Sequence, residues 1–174
     1  TGSEAINLLR FEMPASVKSL EAQVQAMIRD WPQLQPLRGL GPRSVIWFGD
    51  LKGLGRTFHI SIEYGLPVKG RQDLYRVMPV VRVLRPSLVP NWEAEEEAPL
   101  PHVYFEPPDI RLSPLCLFDP KAGEWDASMV ISRTTVGWTI RWLAAYEFWE
   151  VTGRWIGGGR HEVAGVEKEP ENAA

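Results

Sequence analysis

Cys116 is the single cysteine in this 174-residue sequence, and only a few chemical roles are open to it. It lies in the segment Ser113-Pro-Leu-Cys-Leu-Phe-Asp-Pro120, which has turn-forming residues at both ends. A lone thiol forms no internal disulfide and builds no cysteine-based metal site. Its roles therefore narrow to a small buried hydrophobic residue or a nucleophile. Because the flanking prolines disfavour regular structure, we expect the thiol to be at least partly exposed at the edge of a loop.

The composition limits the class of protein that can carry this thiol. The apolar fraction of 44% and the charged fraction of 24% are typical of one soluble globular domain. The formal net charge of −3 provides no basic surface, which argues against nucleic acid as the main partner. No apolar run is long enough to span a membrane, and one cysteine fits a reducing cytoplasm. The glycines at 157–159 lack the Gly-Lys-Ser/Thr of a phosphate loop, and no cofactor or metal is expected.

Hydrophobic periodicity predicts the elements that position Cys116. A helix is expected over residues 16–31, with an apolar stripe of Leu20, Val24, Met27, Ile28 and Trp31. Strands are expected over residues 44–51, 57–64 and 74–84, the last beginning after Pro79 or bulged there, and a short strand over residues 102–105. A second helix follows and ends at Gly153; its stripe is Ile131, Thr135, Trp138, Trp142, Tyr146 and Trp149.

The remaining segments are interpreted as loops and ends. Residues 85–101, with an acidic run at 93–97, are predicted to form a solvated surface loop, and residues 107–126 to be mostly irregular. We interpret residues 1–13 as a tag remnant or flexible lead-in, 14–161 as the folded domain, and 162–174 as a disordered acidic tail. The sequence thus predicts an α+β domain with an N-terminal helix, an antiparallel meander of three to four strands, an irregular cysteine segment and a Trp-rich C-terminal helix.

This order of elements resembles a ubiquitin-conjugating domain. Cys116 lies in a Leu-Cys-Leu-x-x-Pro pattern at 115–120. This pattern is similar to that of the bacterial branch of the superfamily, the conjugating component of CBASS antiphage operons. The following helix carries a Trp-x-x-x-Trp-Leu-x-x-Tyr-Glu-x-Trp pattern with Thr-Gly-x-Trp behind it, matched here by Trp138, Trp142, Leu143, Tyr146, Glu147, Trp149, Thr152, Gly153 and Trp155.

The resemblance implies an acyl carrier. Cys116 would form a thioester with the C-terminus of a partner protein, either a cGAS-like nucleotidyltransferase or a ubiquitin-like protein, and deliver it to a lysine amine. An activating enzyme would supply the acyl group. His102 matches the family histidine and is a candidate catalytic residue, although in the family this histidine often has the structural role of holding the active-site loop. Asp119, three residues after the cysteine, would orient or deprotonate the amine, or serve only as a turn residue before Pro120.

One family feature is missing. The eukaryotic His-Pro-Asn triplet is absent, because Val103 and Tyr104 follow His102. The asparagine credited with supporting the oxyanion therefore has no counterpart, and His102, a backbone N–H near Cys116 and Tyr104 all stay open as its replacement. Two other functions also stay open at this point: a cysteine hydrolase, and a non-catalytic interaction module of the same fold.

Overall fold

The computed structural model describes residues 16–37, 43–66, 78–119 and 122–158. The lead-in expected at residues 1–13, the tail expected at 162–174 and both boundaries of the domain expected at 14–161 lie outside these ranges. Within them, the α+β class is confirmed: two α-helices accompany one antiparallel sheet. Neither helix in the described ranges has the length and apolarity that crossing a bilayer requires.

The first helix, α1, spans Leu20–Asp30 and begins four residues later than predicted. Its N-cap is Ser19, whose hydroxyl accepts the N–H of Ala22 at 3.1 Å. Val24 and Met27 are buried as predicted, whereas Ile28 is 45% exposed and was wrongly placed in the core stripe. Gln23 is buried instead, because its side-chain amide bonds the backbone of Met129 and Ile131, two residues that precede the second helix.

Among the described residues, four strands form the sheet in the order β1-β2-β3-β4, with every neighbouring pair antiparallel. They are β1 (Gln35–Leu37), β2 (Ser44–Lys52), β3 (Thr57–Gly65) and β4 (Val80–Arg85). The predicted strands at 44–51 and 57–64 are confirmed, and the third begins directly after Pro79, while residues 74–77 lie outside the described ranges. One face of the sheet builds the core with Val45, Trp47, Leu51, Phe58, Ile60, Ile62, Tyr64, Val81 and Val83.

The second helix, α2, spans Thr135–Thr152 without a break at Gly137. It ends as predicted at Gly153, whose φ of 70° places it in the left-handed region that caps helices. Trp142, Tyr146 and Trp149 are buried on the core side, and the Tyr146 ring meets Phe58 of β3 edge-on at 6.3 Å. The predicted packing of the Trp-rich helix against the sheet is thus observed.

A carboxylate of α2 also fixes the turn between β2 and β3. Glu147 accepts the N–H groups of Leu54, Gly55 and Arg56 at 2.8, 2.9 and 3.1 Å. A side chain at Gly53 would displace that carboxylate, so glycine at this position leaves room for the contact with Glu147. The turn predicted from Gly-Leu-Gly is therefore held in place by the helix that packs beneath it.

The long loop at residues 86–101 contains no helix or strand, but α2 anchors it. The Tyr146 hydroxyl accepts the N–H of Val89 at 2.8 Å and donates to Glu150 at 3.3 Å. Burial raises the pKa of Tyr146 to about 12. The hydroxyl therefore stays protonated and able to bridge the loop and the helix across the physiological pH range.

Candidate functional site

The Cys116 segment is attached to the open edge of the sheet at β4. The N–H of Leu115 donates to the carbonyl of Val81 at 2.9 Å, and the Leu115 side chain is buried. Leu115 also forms an isolated antiparallel bridge with Val103. The strand predicted over residues 102–105 is therefore wrong: this stretch makes a single bridge to the cysteine segment, and His102 leaves the extended conformation.

Backbone hydrogen bonds fix Cys116 on either side of that bridge. The N–H of Cys116 donates to the carbonyl of His102 at 2.8 Å, and the N–H of Tyr104 donates to the carbonyl of Pro114 at 2.9 Å. Side chains alternate along extended chains, so Tyr104 and Cys116 both point away from the side on which Leu115 enters the core. Cys116 as a whole is half-buried. The backbone thus fixes a residue that keeps part of its surface in contact with solvent.

The Tyr104 hydroxyl is a polar neighbour of the thiol. Its oxygen lies 3.6 Å from Sγ of Cys116, within hydrogen-bond range for sulfur. Tyr104 is 45% exposed, so the phenol borders solvent while its hydroxyl reaches the sulfur. The structure therefore brings together two of the groups singled out in the sequence, the cysteine and the tyrosine that follows the histidine by two residues.

His102 contacts the cysteine through its backbone and turns its ring into the protein. The residue is 7% exposed, and its ring stacks on Trp155 with centroids 5.2 Å apart and planes 28° from parallel. Its φ of 48° lies in the left-handed region, which is strained for a non-glycine residue, although histidine tolerates it better than most. The residue with this unusual backbone conformation also supplies the carbonyl that accepts the Cys116 N–H.

The acidic loop keeps Trp155 in place. The Glu96 carboxylate accepts the N–H of Trp155 at 2.8 Å, and the Glu96 carbonyl accepts the indole N–H of Trp149 at 2.8 Å. The N–H of Glu96 donates in turn to Gly153 at 3.1 Å. We call this set of contacts between Glu96 and residues 149–155 the Glu96 clasp. The prediction of a purely solvated acidic run is incomplete, since the exposed Glu96 ties the chain after α2 to the loop.

Sequence reasoning missed the clasp. The only available signal was the Thr-Gly-x-Trp pattern, which named Trp155 as a family position without indicating what its ring touches. The contact joins residues that are far apart in the chain, and no local pattern encodes it.

Asp119 lies beyond the thiol in the half-buried part of the same segment. Its N–H donates to the Glu124 carboxylate at 2.8 Å, which closes the loop between them. Phe118 anchors this loop, with its ring 6.2 Å from Trp125 and 5.6 Å from Trp138. Residues 120–121 lie outside the described ranges. The backbone of Asp119 thus takes part in a loop closure, and its carboxylate lies on the segment that carries Cys116.

The chemistry available at this site is that of a thiol, a phenol and carboxylates. In the part of the chain that the structure describes, no group of three or more His, Cys, Asp or Glu side chains is arranged to hold a metal ion. The arrangement can therefore present a thiol nucleophile with a phenolic donor beside it.

Comparison with known proteins places this site in a family. The family model of the type II CBASS E2 protein matches residues 23–162, a stretch that includes Cys116, His102, Tyr104 and Asp119. A search of the curated proteins gave no match. The matched region covers most of the sequence and contains the whole sheet, all of α2 and α1 from residue 23 onward. The chain therefore belongs to the type II CBASS E2 protein family.

Proposed function

We propose that this protein is a ubiquitin-conjugating-like acyltransferase that carries an acyl group on Cys116. The observation that supports this most directly is the position of the cysteine: Cys116 is a half-buried residue at the sheet edge, and backbone hydrogen bonds of Leu115 and Cys116 hold its segment in place. A nucleophile that must meet a protein-sized donor needs such a partly exposed position and a fixed backbone. Membership in a family of E2 proteins supports the same reaction class.

The proposed reaction has two steps. In the first, the Cys116 thiolate attacks the activated C-terminal carbonyl of the donor protein, a C–S bond forms, and the leaving group of the activating enzyme departs. In the second, a lysine amine attacks the thioester carbonyl, a C–N bond forms, and the C–S bond breaks to release the thiolate. The proton lost by the amine passes to a base, and we assign that role, or the orientation of the amine, to Asp119.

We assign His102 a positioning role in this reaction. Its carbonyl accepts the N–H of the nucleophilic residue, and its buried ring rests on Trp155. The site therefore depends on the histidine for the direction of the Cys116 backbone, a role that does not require the imidazole to exchange protons.

The proposed donor is the C-terminus of another CBASS component, a cGAS-like nucleotidyltransferase, or of a ubiquitin-like protein. An activating enzyme would supply it, in the cytoplasm. Support for these partners comes from the family alone. The sequence offers no basic surface for nucleic acid, and its net charge of −3 fits a protein partner better.

Substitutions of the thiol test this function. After incubation with activating enzyme and donor, the wild-type protein should form an adduct that reducing agent removes. Cys116→Ser should trap an oxyester that survives reducing agent, and Cys116→Ala should form none while remaining folded, because a half-buried thiol contributes little packing. An adduct on Cys116→Ala would defeat the proposal. Steady turnover of the donor without a carried adduct would indicate a hydrolase, and binding without either would indicate an interaction module.

A further inference from the structure

A thioester carrier needs a donor for the oxyanion that forms when the thioester is attacked, and this chain lacks the asparagine of the eukaryotic triplet. We propose that the Tyr104 hydroxyl is that donor. The inference rests on the proposed function of Cys116 and adds to it the group that stabilises the charge of the transition state.

The geometry favours Tyr104 over the backbone near the sulfur. The N–H groups of Tyr104, Leu115 and Cys116 already donate to the carbonyls of Pro114, Val81 and His102. The N–H of Asp119 donates to Glu124. These groups maintain the sheet edge and the loop, and a developing oxyanion could use them only at the expense of those bonds.

The Tyr104 hydroxyl, by contrast, lies where the charge develops. Its oxygen is 3.6 Å from Sγ, and the carbonyl oxygen of a Cys116 thioester is two bonds from that sulfur. In the free protein the thiol S–H can donate to the phenol. Once the sulfur is acylated that proton is gone, and the phenol O–H becomes the donor of the pair, directed at the acyl group.

The phenol is also positioned with little freedom. The backbone of Tyr104 is fixed by its bond to Pro114, and only two side-chain torsions separate that backbone from the hydroxyl. When an amine attacks, the π electrons of the carbonyl move to oxygen, and Tyr104 O–H donates to the resulting oxyanion. An electron pair on the oxyanion then re-forms the carbonyl double bond as the C–S bond breaks. Tyr104 keeps its proton throughout.

The test uses Tyr104→Phe, which keeps the ring and removes only the hydroxyl. The matched control is Tyr64→Phe, which makes the same change at a core residue that is 1% exposed. Each protein is acylated with an N-acetylglycine thioester of a small alkyl thiol, which places the acyl group on Cys116 by thiol exchange. The decay of the purified thioester is then followed by intact-mass spectrometry, in water alone and with added free lysine.

We expect Tyr104→Phe to slow hydrolysis and aminolysis alike, by about 10- to 100-fold, because both pass through the same oxyanion. Alkylation of the free thiol by iodoacetamide, which forms no oxyanion, should keep its wild-type rate, and the melting temperature should not change. Tyr64→Phe should match wild type in both decay reactions.

Three results would overturn the inference while leaving the proposed function intact. Equal decay rates in wild type and Tyr104→Phe would assign the oxyanion to another donor, such as the N–H of Leu117. Slowing of aminolysis alone would make Tyr104 a residue that positions the amine. An equal loss in alkylation would mean that the phenol acts on the thiol. If the wild-type protein takes no acyl group that depends on Cys116, both this inference and the proposed function fail.

Discussion

Glu147 and Glu96 both accept backbone N–H groups, and they hold very different parts of the molecule. The Glu147 side chain is 11% exposed and accepts three N–H groups of the turn between β2 and β3. Glu96 is exposed and accepts one N–H, that of Trp155, whose ring supports His102 behind the thiol. The first belongs to the rigid sheet and the second to the candidate site.

This difference shows how polar contacts are divided in the fold. Hydrogen bonds to a charged group are worth more where water is excluded, so the contacts of Glu147 stabilise the fold more than the contact of Glu96 does. The candidate site combines the exposed Glu96 contact with the backbone hydrogen bonds of the Cys116 segment and with a strained residue, His102.

The largest effect is expected from Glu147→Ala. Because the N–H groups of Leu54, Gly55 and Arg56 lose a shared charged acceptor, the free energy of unfolding should fall by about 2 kcal/mol, measured by urea denaturation. The rate of Cys116 alkylation should stay that of wild type. The control is Glu150→Ala, which removes one ion pair of the partly exposed Arg56 and the acceptor of the Tyr146 hydroxyl but no acceptor of the turn N–H groups, and which should cost less than about 1 kcal/mol. Equal losses of unfolding free energy in the two variants would mean that the three turn N–H groups do not make Glu147 special.

Glu96→Ala should show the opposite balance. It removes the acceptor of the Trp155 N–H at an exposed position, so the free energy of unfolding should fall by less than about 1 kcal/mol. Discharge of the Cys116 thioester should slow on the order of fivefold, because the support behind His102 loosens and the thiol is held less firmly. Glu93→Ala changes the same charge on the same loop and serves as control. If Glu93→Ala slows discharge of the thioester as much as Glu96→Ala does, the effect comes from the charge of the loop and not from the Glu96 clasp.

The smallest effect is expected from the pH dependence of Asp30, at the end of α1. Hydrogen bonds from Arg29 and then Ser132 lower the pKa of this carboxyl from 3.8 to about 2. A depressed folded-state pKa contributes stability that is present above the unfolded-state pKa and is lost as pH falls through the folded-state value. The difference in urea midpoint between wild type and Asp30→Asn should therefore be constant above about pH 5 and shrink towards pH 2. A difference that does not change with pH would assign the effect to packing.

The sequence predicted β2, β3 and the end of α2 better than it predicted the candidate site. Strands β2 and β3 alternate so regularly around Gly53 and Gly55 that their bounds were predicted to within a residue. The C-terminal end of α2 followed from Gly153. These features are local, since periodicity and turn chemistry are properties of neighbouring residues. The start of α1 was missed because Ser19, not an earlier residue, caps it.

The sequence predicted which residues belong to the site but not how they are arranged. Cys116, His102, Tyr104 and Asp119 were identified from residue type and family resemblance, but their geometry was not. The strand expected over residues 102–105 failed because His102 adopts a positive φ, and periodicity alone cannot predict such a departure. The exposed Ile28 and the buried Gln23 exchanged their expected places because a long-range hydrogen-bond pair outweighed local hydrophobicity.

The conformation of His102 limits which amino acids this position can accept. The backbone there favours glycine, asparagine, aspartate or histidine, since these tolerate a positive φ. The surface of Trp155 beside it favours a flat ring. Histidine satisfies both demands, whereas asparagine lacks the ring and phenylalanine resists the backbone. Both demands concern the shape of the residue, and neither involves proton exchange by the imidazole.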